Sequence, residues 1–276
     1  MRPGFRITIG ADPGQVARVN AAFAEFADAH AVPVSVRRSM NVVLDELLTN
    51  TLSYAFPAGG RESGEVTVDV ELGPDRLSVT LSDDGSPFDP FGTAAPDTAP
   101  SVEERRIGGL GIHLVRRMMD EFSYHRSADR NVVTLAKRLT DGMTAGPGGG
   151  RSMNITTRMH NDVTLVAFAG NLDSNTSPQA QQALDGILAS GGRKMVVDFT
   201  ALDYISSAGL RVLLGAAKRL SGVPGGGGGG GGGSGGGGGA LRLFGLNETV
   251  KEVFEISGFS TILAVYATEA DALRGF

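Results

Sequence analysis

The chain has 276 residues, 41% of them apolar and 20% charged, with a net charge of −5; it can bury the cores of two domains and is neither a disordered chain nor a basic nucleic-acid binder. It has no cysteine, which excludes disulfides, zinc–thiolate centres, iron–sulfur clusters and cysteine nucleophiles and suits a reducing compartment. No stretch approaches about 18 uninterrupted apolar residues, and the first residues lack a signal-peptide pattern, so the expectation is a cytoplasmic protein with no membrane contact.

Phe5–Gly10 alternates apolar and polar residues and predicts a strand; Pro13–His30 and Val34–Tyr54 carry helical spacing. Glu65–Glu71 and Arg76–Asp83 alternate again and are joined by the turn Gly73-Pro74-Asp75. A stretch rich in Pro, Gly, Asp and Thr runs from Ser86 to Arg106, before a helix from Gly109 to Met119 and two strands, Glu121–His125 and Asn131–Arg138. Thr140–Arg151 is Gly-rich and contains Pro147, which marks a linker.

Beyond it, Asn154–Met159 and Thr164–Ala169 read as strands, and Ser177-Pro178 as the N-cap and first residue of a helix to Ala189. Lys194–Phe199 is a β-rich run, and Ser207–Leu220 has a helical apolar stripe. Gly225–Gly239, broken only by Ser234, has almost no side chains to bury and reads as a loop. Leu241–Phe244 is a strand. Asn247 caps a helix that Gly258 ends, and Ile262–Tyr266 is a last strand before a short helix. The predicted class is α/β: residues 1–140 an α/β sandwich with a mixed or antiparallel sheet, 141–152 a linker, and 153–276 a small α/β domain.

Three segments of the first half carry chemistry. In L-D-E-L-L-T-N, Glu46 and Asn50 lie one helical turn apart and project together. A carboxylate and a carboxamide so placed can hold a hydrated Mg²⁺ or orient a nucleophile, although the same pair also suits a solvated helix face. S-D-D-G-S-P-F-D, Ser82–Asp89, ends a strand; an Asp beside a Gly can offer its carboxylate to a ligand edge, or simply make a turn. I-G-G-L-G-I-H-L-V-R-R, Ile107–Arg117, places glycines at a helix start, where amides favour phosphate. No Lys-Ser/Thr follows them, and no parallel βαβ unit surrounds them, so neither a P-loop nor a dinucleotide fold fits.

In this order and spacing the three segments resemble the N box and two glycine boxes of the GHKL ATP-binding fold, and most closely the anti-sigma factor serine kinases. The resemblance covers residues 5–140. It implies that Asn50 coordinates Mg²⁺ and that Glu46 is the general base on an acceptor serine. Asp84 takes the adenine amino group with Gly85 beneath the ring, and Gly109, Leu110 and Gly111 face the phosphates. Thr134 is a further candidate for the adenine pocket. Asp45 reads as structural and His113 as a surface or packing residue. No segment resembles the phosphoacceptor helix of a histidine kinase.

L-D-Y-I-S-S-A-G-L-R-V-L-L, Leu202–Leu214, with V-V-D-F before it and F-E-I-S-G-F after it, resembles a STAS domain of the anti-sigma factor antagonist type. That family carries a phosphorylated serine at this helix start. Aligned on Gly209, Ser206 falls at the motif's aspartate position and Ala208 at the expected acceptor position. Ser207 is therefore the first acceptor candidate and Ser206 the second. An unphosphorylated binding module is the third reading, in which both serines are helix caps.

The two resemblances together imply a bacterial partner-switching regulator: an ATP/Mg²⁺-dependent serine-protein kinase fused to its own class of substrate. The implied partners are a sigma factor or other regulator, a STAS antagonist domain in cis or trans, and a serine phosphatase, with homodimerisation and no direct nucleic-acid contact. The alternative is a non-catalytic, nucleotide-dependent scaffold whose STAS domain docks partners.

Overall fold

The computed structural model describes residues 2–56, 64–92, 110–139, 153–221 and 239–276. The linker at 141–152, Gly109, and the glycine tract as far as Gly238 lie outside these residues. The chain separates into two compact units, each with one five-stranded sheet. Among the described residues no helix is long and apolar enough to cross a membrane.

In the first unit, β1 (Gly4–Gly10), β2 (Glu65–Leu72), β3 (Arg76–Asp83), β4 (Glu121–Ser127) and β5 (Arg130–Arg138) lie in the order β1-β2-β3-β5-β4. Every pairing is antiparallel. The helices are α1 (Val16–Ala29), entered through a 3-10 turn at Pro13–Gln15, α2 (Val34–Tyr54) and α3 (Leu110–Met118). Strand residues alternate in burial, as a sheet with one covered face requires. Val66, Val68 and Val70 of β2, Leu77, Val79 and Leu81 of β3, and Val133 and Leu135 of β5 are buried, as are Phe23, Met40, Leu44, Leu47, Leu48, Leu114 and Val115 of the helices.

That alternation fixes the rim of the core. Val79 opposes Leu135, Leu81 opposes Val133 and Asp83 opposes Asn131. Opposed residues share a face, so the covered face ends in a carboxylate and a carboxamide where the pattern would otherwise place two more apolar side chains.

In the second unit, β6 (Asn154–His160), β7 (Val163–Leu172), β8 (Lys194–Ile205), β9 (Ala240–Phe244) and β10 (Ala264–Tyr266) lie in the order β10-β9-β8-β7-β6. Only β6–β7 is antiparallel. The helices are α4 (Ser177–Ala189), α5 (Ser207–Ser221), α6 (Glu248–Ile256) and α7 (Glu269–Leu273). The apolar run M-V-V of central β8 matches burial on both faces. Phe168, Phe199, Phe254 and Phe259 form a continuous ring chain, with successive centroids 5.9, 6.4 and 6.0 Å apart.

Two expectations change. β8 runs on past Phe199 to Ile205, its register with β7 shifted twice, and so delivers Ser206 and Ser207 directly to the start of α5. Ser177 is a helical residue and not the N-cap, because its hydroxyl donates to the Asp173 carbonyl. Asn247 does cap α6, accepting from the Val250 amide at 3.0 Å, and Gly258 follows that helix with φ 70°.

Phe199 is fully buried in the ring chain. Phe199→Ala is expected to cost about 3–5 kcal/mol, read in urea titrations as an earlier unfolding transition of the second unit. An unmoved transition would contradict the assignment of these rings as its core.

Candidate functional site

Glu46 and Asn50 sit one turn apart on α2; the Glu46 side chain is buried and Asn50 is half-exposed. The first turn of α3 lies directly over Glu46, since a β-carbon on Gly111 would overlap the Glu46 carboxylate. Glycine is what permits this approach. The structure thus brings together Glu46, Leu110 and Gly111, with Asn50 one turn along. Asp45 is also buried and His113 half-buried.

The turn after β3 closes the other side. The Ser86 amide donates to the Ala55 carbonyl at 2.7 Å, just past the end of α2. A β-carbon on Gly85 would strike that carbonyl and the Ala55 side chain. Gly85 therefore lets the turn seat on the end of the helix that carries Glu46 and Asn50.

The buried acid of this turn is Asp83, at 3% exposure. Its Oδ1 accepts from the Gly85 amide at 3.0 Å and from Asn131 Nδ2 at 2.7 Å. Burial pushes its pKa above the ordinary value, and Asp84 adds to this; the Asn131 and Gly85 hydrogen bonds and the Arg130 charge oppose it.

Two expected site residues lie elsewhere. Asp84 is exposed, and its carboxylate accepts from the Glu65 amide at 2.8 Å, closing the β2–β3 end. It follows the last inward position of β3, so the inward carboxylate is its neighbour. Thr134 pairs with Thr80 and Ser123 on the sheet face opposite to Asp83 and Asn131. Asp83 and Asn131 are the residues that sequence reasoning did not single out. Extending the period-two pattern of Val133 and Leu135 by one step would have placed Asn131 on the covered face.

In the second unit, Ser206 is fully buried and its Oγ has no hydrogen-bond partner among the described residues. Ser207 opens α5 at 2% exposure, with Arg211 Nη1 donating to its Oγ at 3.2 Å. Ala208 is half-exposed. A β-carbon on Gly209 would strike Leu172 and Ile205, so glycine lets α5 start flush against β7 and β8. Beside this helix start, Tyr204 Oη donates to Asp173 Oδ2 at 3.0 Å, while Asp173 Oδ1 accepts from the Asn175 and Thr176 amides.

Among the described residues no cluster of three or more His, Asp or Glu can hold a metal ion. A site that shares Mg²⁺ between one side-chain oxygen, such as that of Asn50, and a ligand's phosphates needs no such cluster.

The family model described as histidine kinase-like ATPase domain matches residues 9–137, and the one described as STAS domain matches residues 154–223. The chain is 35% identical over 124 residues to "Putative anti-sigma factor antagonist BtrV" of Bordetella bronchiseptica, covering 45% of this chain and 95% of that protein. It is 30% identical over 100 residues to the serine/threonine-protein kinase BtrW of the same bacterium, covering 36% of this chain and 69% of that kinase. Against the serine-protein kinase RsbW of Listeria innocua it is 33% identical over 99 residues, 34% of this chain, and it spans only 61% of that relative's length. The chain belongs to both families, joining a histidine kinase-like ATPase domain of the serine-protein kinase type to a STAS domain of the anti-sigma factor antagonist type.

Asp83 holds its proton more tightly in the folded than in the unfolded chain. Its contribution to stability is therefore largest below the ordinary value of 3.8 and declines as pH rises through that value to the raised one. Asp83→Asn keeps the Oδ1 acceptor and removes the buried charge. At pH 7 the variant should melt at or above the wild-type temperature, with the difference vanishing in acid. A variant that melts lower at pH 7 would contradict the burial argument.

Proposed function

We propose that the first unit is an ATP- and Mg²⁺-dependent serine-protein kinase and that the second is an antagonist module of the kind it phosphorylates. The proposed division is 1–140 and 153–276, joined by 141–152. The observation that carries this reading is a pair of buried carboxylates: Glu46 on α2 beneath Gly111, and Asp83 bonded to the amide of Gly85 in the turn that seats on the end of α2.

The chemistry divides between them. Asp83 Oδ2 accepts from the exocyclic amine of the adenine, which lies over Gly85; Asp83 takes the role first expected of Asp84. The amides of Leu110 and Gly111 at the start of α3 receive the phosphates, helped by the helix dipole, and Gly109, which precedes them in sequence, shares that role. Asn50 would hold Mg²⁺, which would supply positive charge to neutralise the transferred group. Glu46 takes the proton of the acceptor hydroxyl as its oxygen bonds to the γ-phosphorus. The bond from that phosphorus to the β–γ bridging oxygen breaks, and ADP leaves.

Ser207 is the favoured acceptor. A phosphoryl group there meets both the α5 dipole and the Arg211 guanidinium, which already reaches its Oγ. Ser206 is second, because it precedes α5 and its Oγ meets no cation among the described residues. As a partner switch, the first unit would hold a sigma factor or similar regulator until a STAS domain, in cis or trans, displaces it. Phosphorylation would end that competition and a serine phosphatase would restore it. The kinase unit would act as a homodimer.

One observation favours a second reading. Both serines are buried and the least buried residue of the helix start is the half-exposed Ala208, which suits a nucleotide-dependent scaffold that docks without phosphorylation. Intact-mass analysis with peptide mapping after incubation with Mg²⁺ and ATP separates the two. The kinase reading expects one phosphate on Ser207, and Glu46→Gln should slow its appearance by about 100-fold or more while ATP still binds. ATP bound with no phosphoserine formed would favour the scaffold.

A further inference from the structure

Asn131 takes no part in the steps above, yet its carboxamide makes five hydrogen bonds among the described residues. It lies at the start of β5 at 2% exposure. Its Oδ1 accepts from Phe88 N at 3.2 Å, Tyr124 Oη at 2.9 Å and Arg126 Nη1 at 2.9 Å. Its Nδ2 donates to Asp83 Oδ1 at 2.7 Å and to the Ser86 carbonyl at 2.9 Å.

These partners fix the amide in one sense. A guanidinium and a backbone N–H can only donate, so they face Oδ1; an ionised carboxylate and a carbonyl can only accept, so they face Nδ2. Arg126 also donates to the Gly85 carbonyl at 3.1 Å, which ties the same turn to β4. A cationic donor on Oδ1 polarises the amide and strengthens the donation from Nδ2 to Asp83.

The consequence falls on Asp83. Oδ1 is taken by Asn131 and Gly85, and Oδ2 has no hydrogen-bond partner among the described residues. The carboxylate therefore presents one oxygen, in a fixed plane, beside a turn anchored at Ser86 and Phe88.

We propose that Asn131 is the positioning residue of the base subsite: it holds Asp83 as an acceptor with Oδ2 outward, and so sets the preference for a purine with an amine at C6 over one with a carbonyl there. This rests on the nucleotide reading given above and adds the group that enforces its selectivity. The groups that offset the burial of Asp83 fit this role. Arg130 and the Asn131 amide favour the ionised form, while Asp84 and desolvation oppose it.

The clearest test replaces the amide by an acid. In Asn131→Asp two carboxyls would meet where one hydrogen bond now lies, and such a pair retains a proton. A protonated Asp83 donates to a C6 carbonyl and no longer accepts from a C6 amine. Calorimetric titration of the full chain with Mg²⁺–ATP and Mg²⁺–ITP reads this as a ratio. Wild type should prefer ATP. Asn131→Asp should weaken ATP by at least about tenfold while ITP holds or improves, so that the preference collapses.

Tyr124→Phe removes a single donor from an exposed strand and keeps the test valid if the first variant does not fold. It should lower the ATP-to-ITP preference by about two- to tenfold with an unchanged melting temperature. Equal weakening of both nucleotides, or an unchanged ratio in a folded variant, would overturn the positioning role. Wild type that binds neither nucleotide would overturn the nucleotide reading itself.

Discussion

An antiparallel sheet with one covered face must decide, residue by residue, what goes inside, and at the end of β3 it puts a carboxylate there. Leu77, Val79, Leu81 and Asp83 are successive inward positions, so the acid is buried by the same alternation that builds the core. An ionised group so placed is costly unless donors receive it. Asn131 supplies one from the neighbouring strand and Gly85 another from the turn. The turn is in turn seated on the end of α2 through Ser86 and Ala55. Strand register, turn and helix end are thus coupled through one carboxylate.

The second carboxylate is held differently. Glu46 is buried on a helix, and the start of α3 closes over it only because residue 111 has no side chain. A helix face holds one acid beneath a glycine and a strand end holds the other on a glycine's amide, and their surroundings separate their roles. Asp83 keeps one oxygen committed to the fold. Glu46 lies beneath the helix start that would bind phosphates. A site of this kind sacrifices stability for function, as functional sites commonly do.

Most element limits were legible because each depends on a local pattern. Val34–Tyr54 and Arg76–Asp83 are the same in sequence and structure, and Asn247 and Gly258 mark the ends of α6 as their chemistry demands. The site was legible at the level of segments and less so at the level of atoms. Two adjacent aspartates look alike in a motif, and only strand phase separates them, Asp83 inward and Asp84 outward. Thr134 lies on the opposite sheet face for the same reason, out of phase with Asn131. The role of Asn131 depends on donors from Phe88, Tyr124 and Arg126, which are scattered along the chain and meet only through sheet order. The continuation of β8 to Ile205 was hidden because Thr200 and Asp203 interrupt its apolar run, and the shifts against β7 absorb the irregularity.

The second unit shows what a buried helix start implies for regulation. Ser206 and Ser207 lie at the junction of β8 and α5, held flush by Gly209, with Arg211 as the nearby cation. A phosphate added there would need the turn to open, which would couple modification to the shape of the surface around Ala208. The central claim is that strand phase makes Asp83, and not Asp84, the acid that meets the nucleotide. Equilibrium titration of Mg²⁺–ATP into Asp83→Asn and Asp84→Asn tests it most directly. The account predicts that binding is lost in the first variant, although its fold is intact, and kept in the second; the reverse result would contradict it.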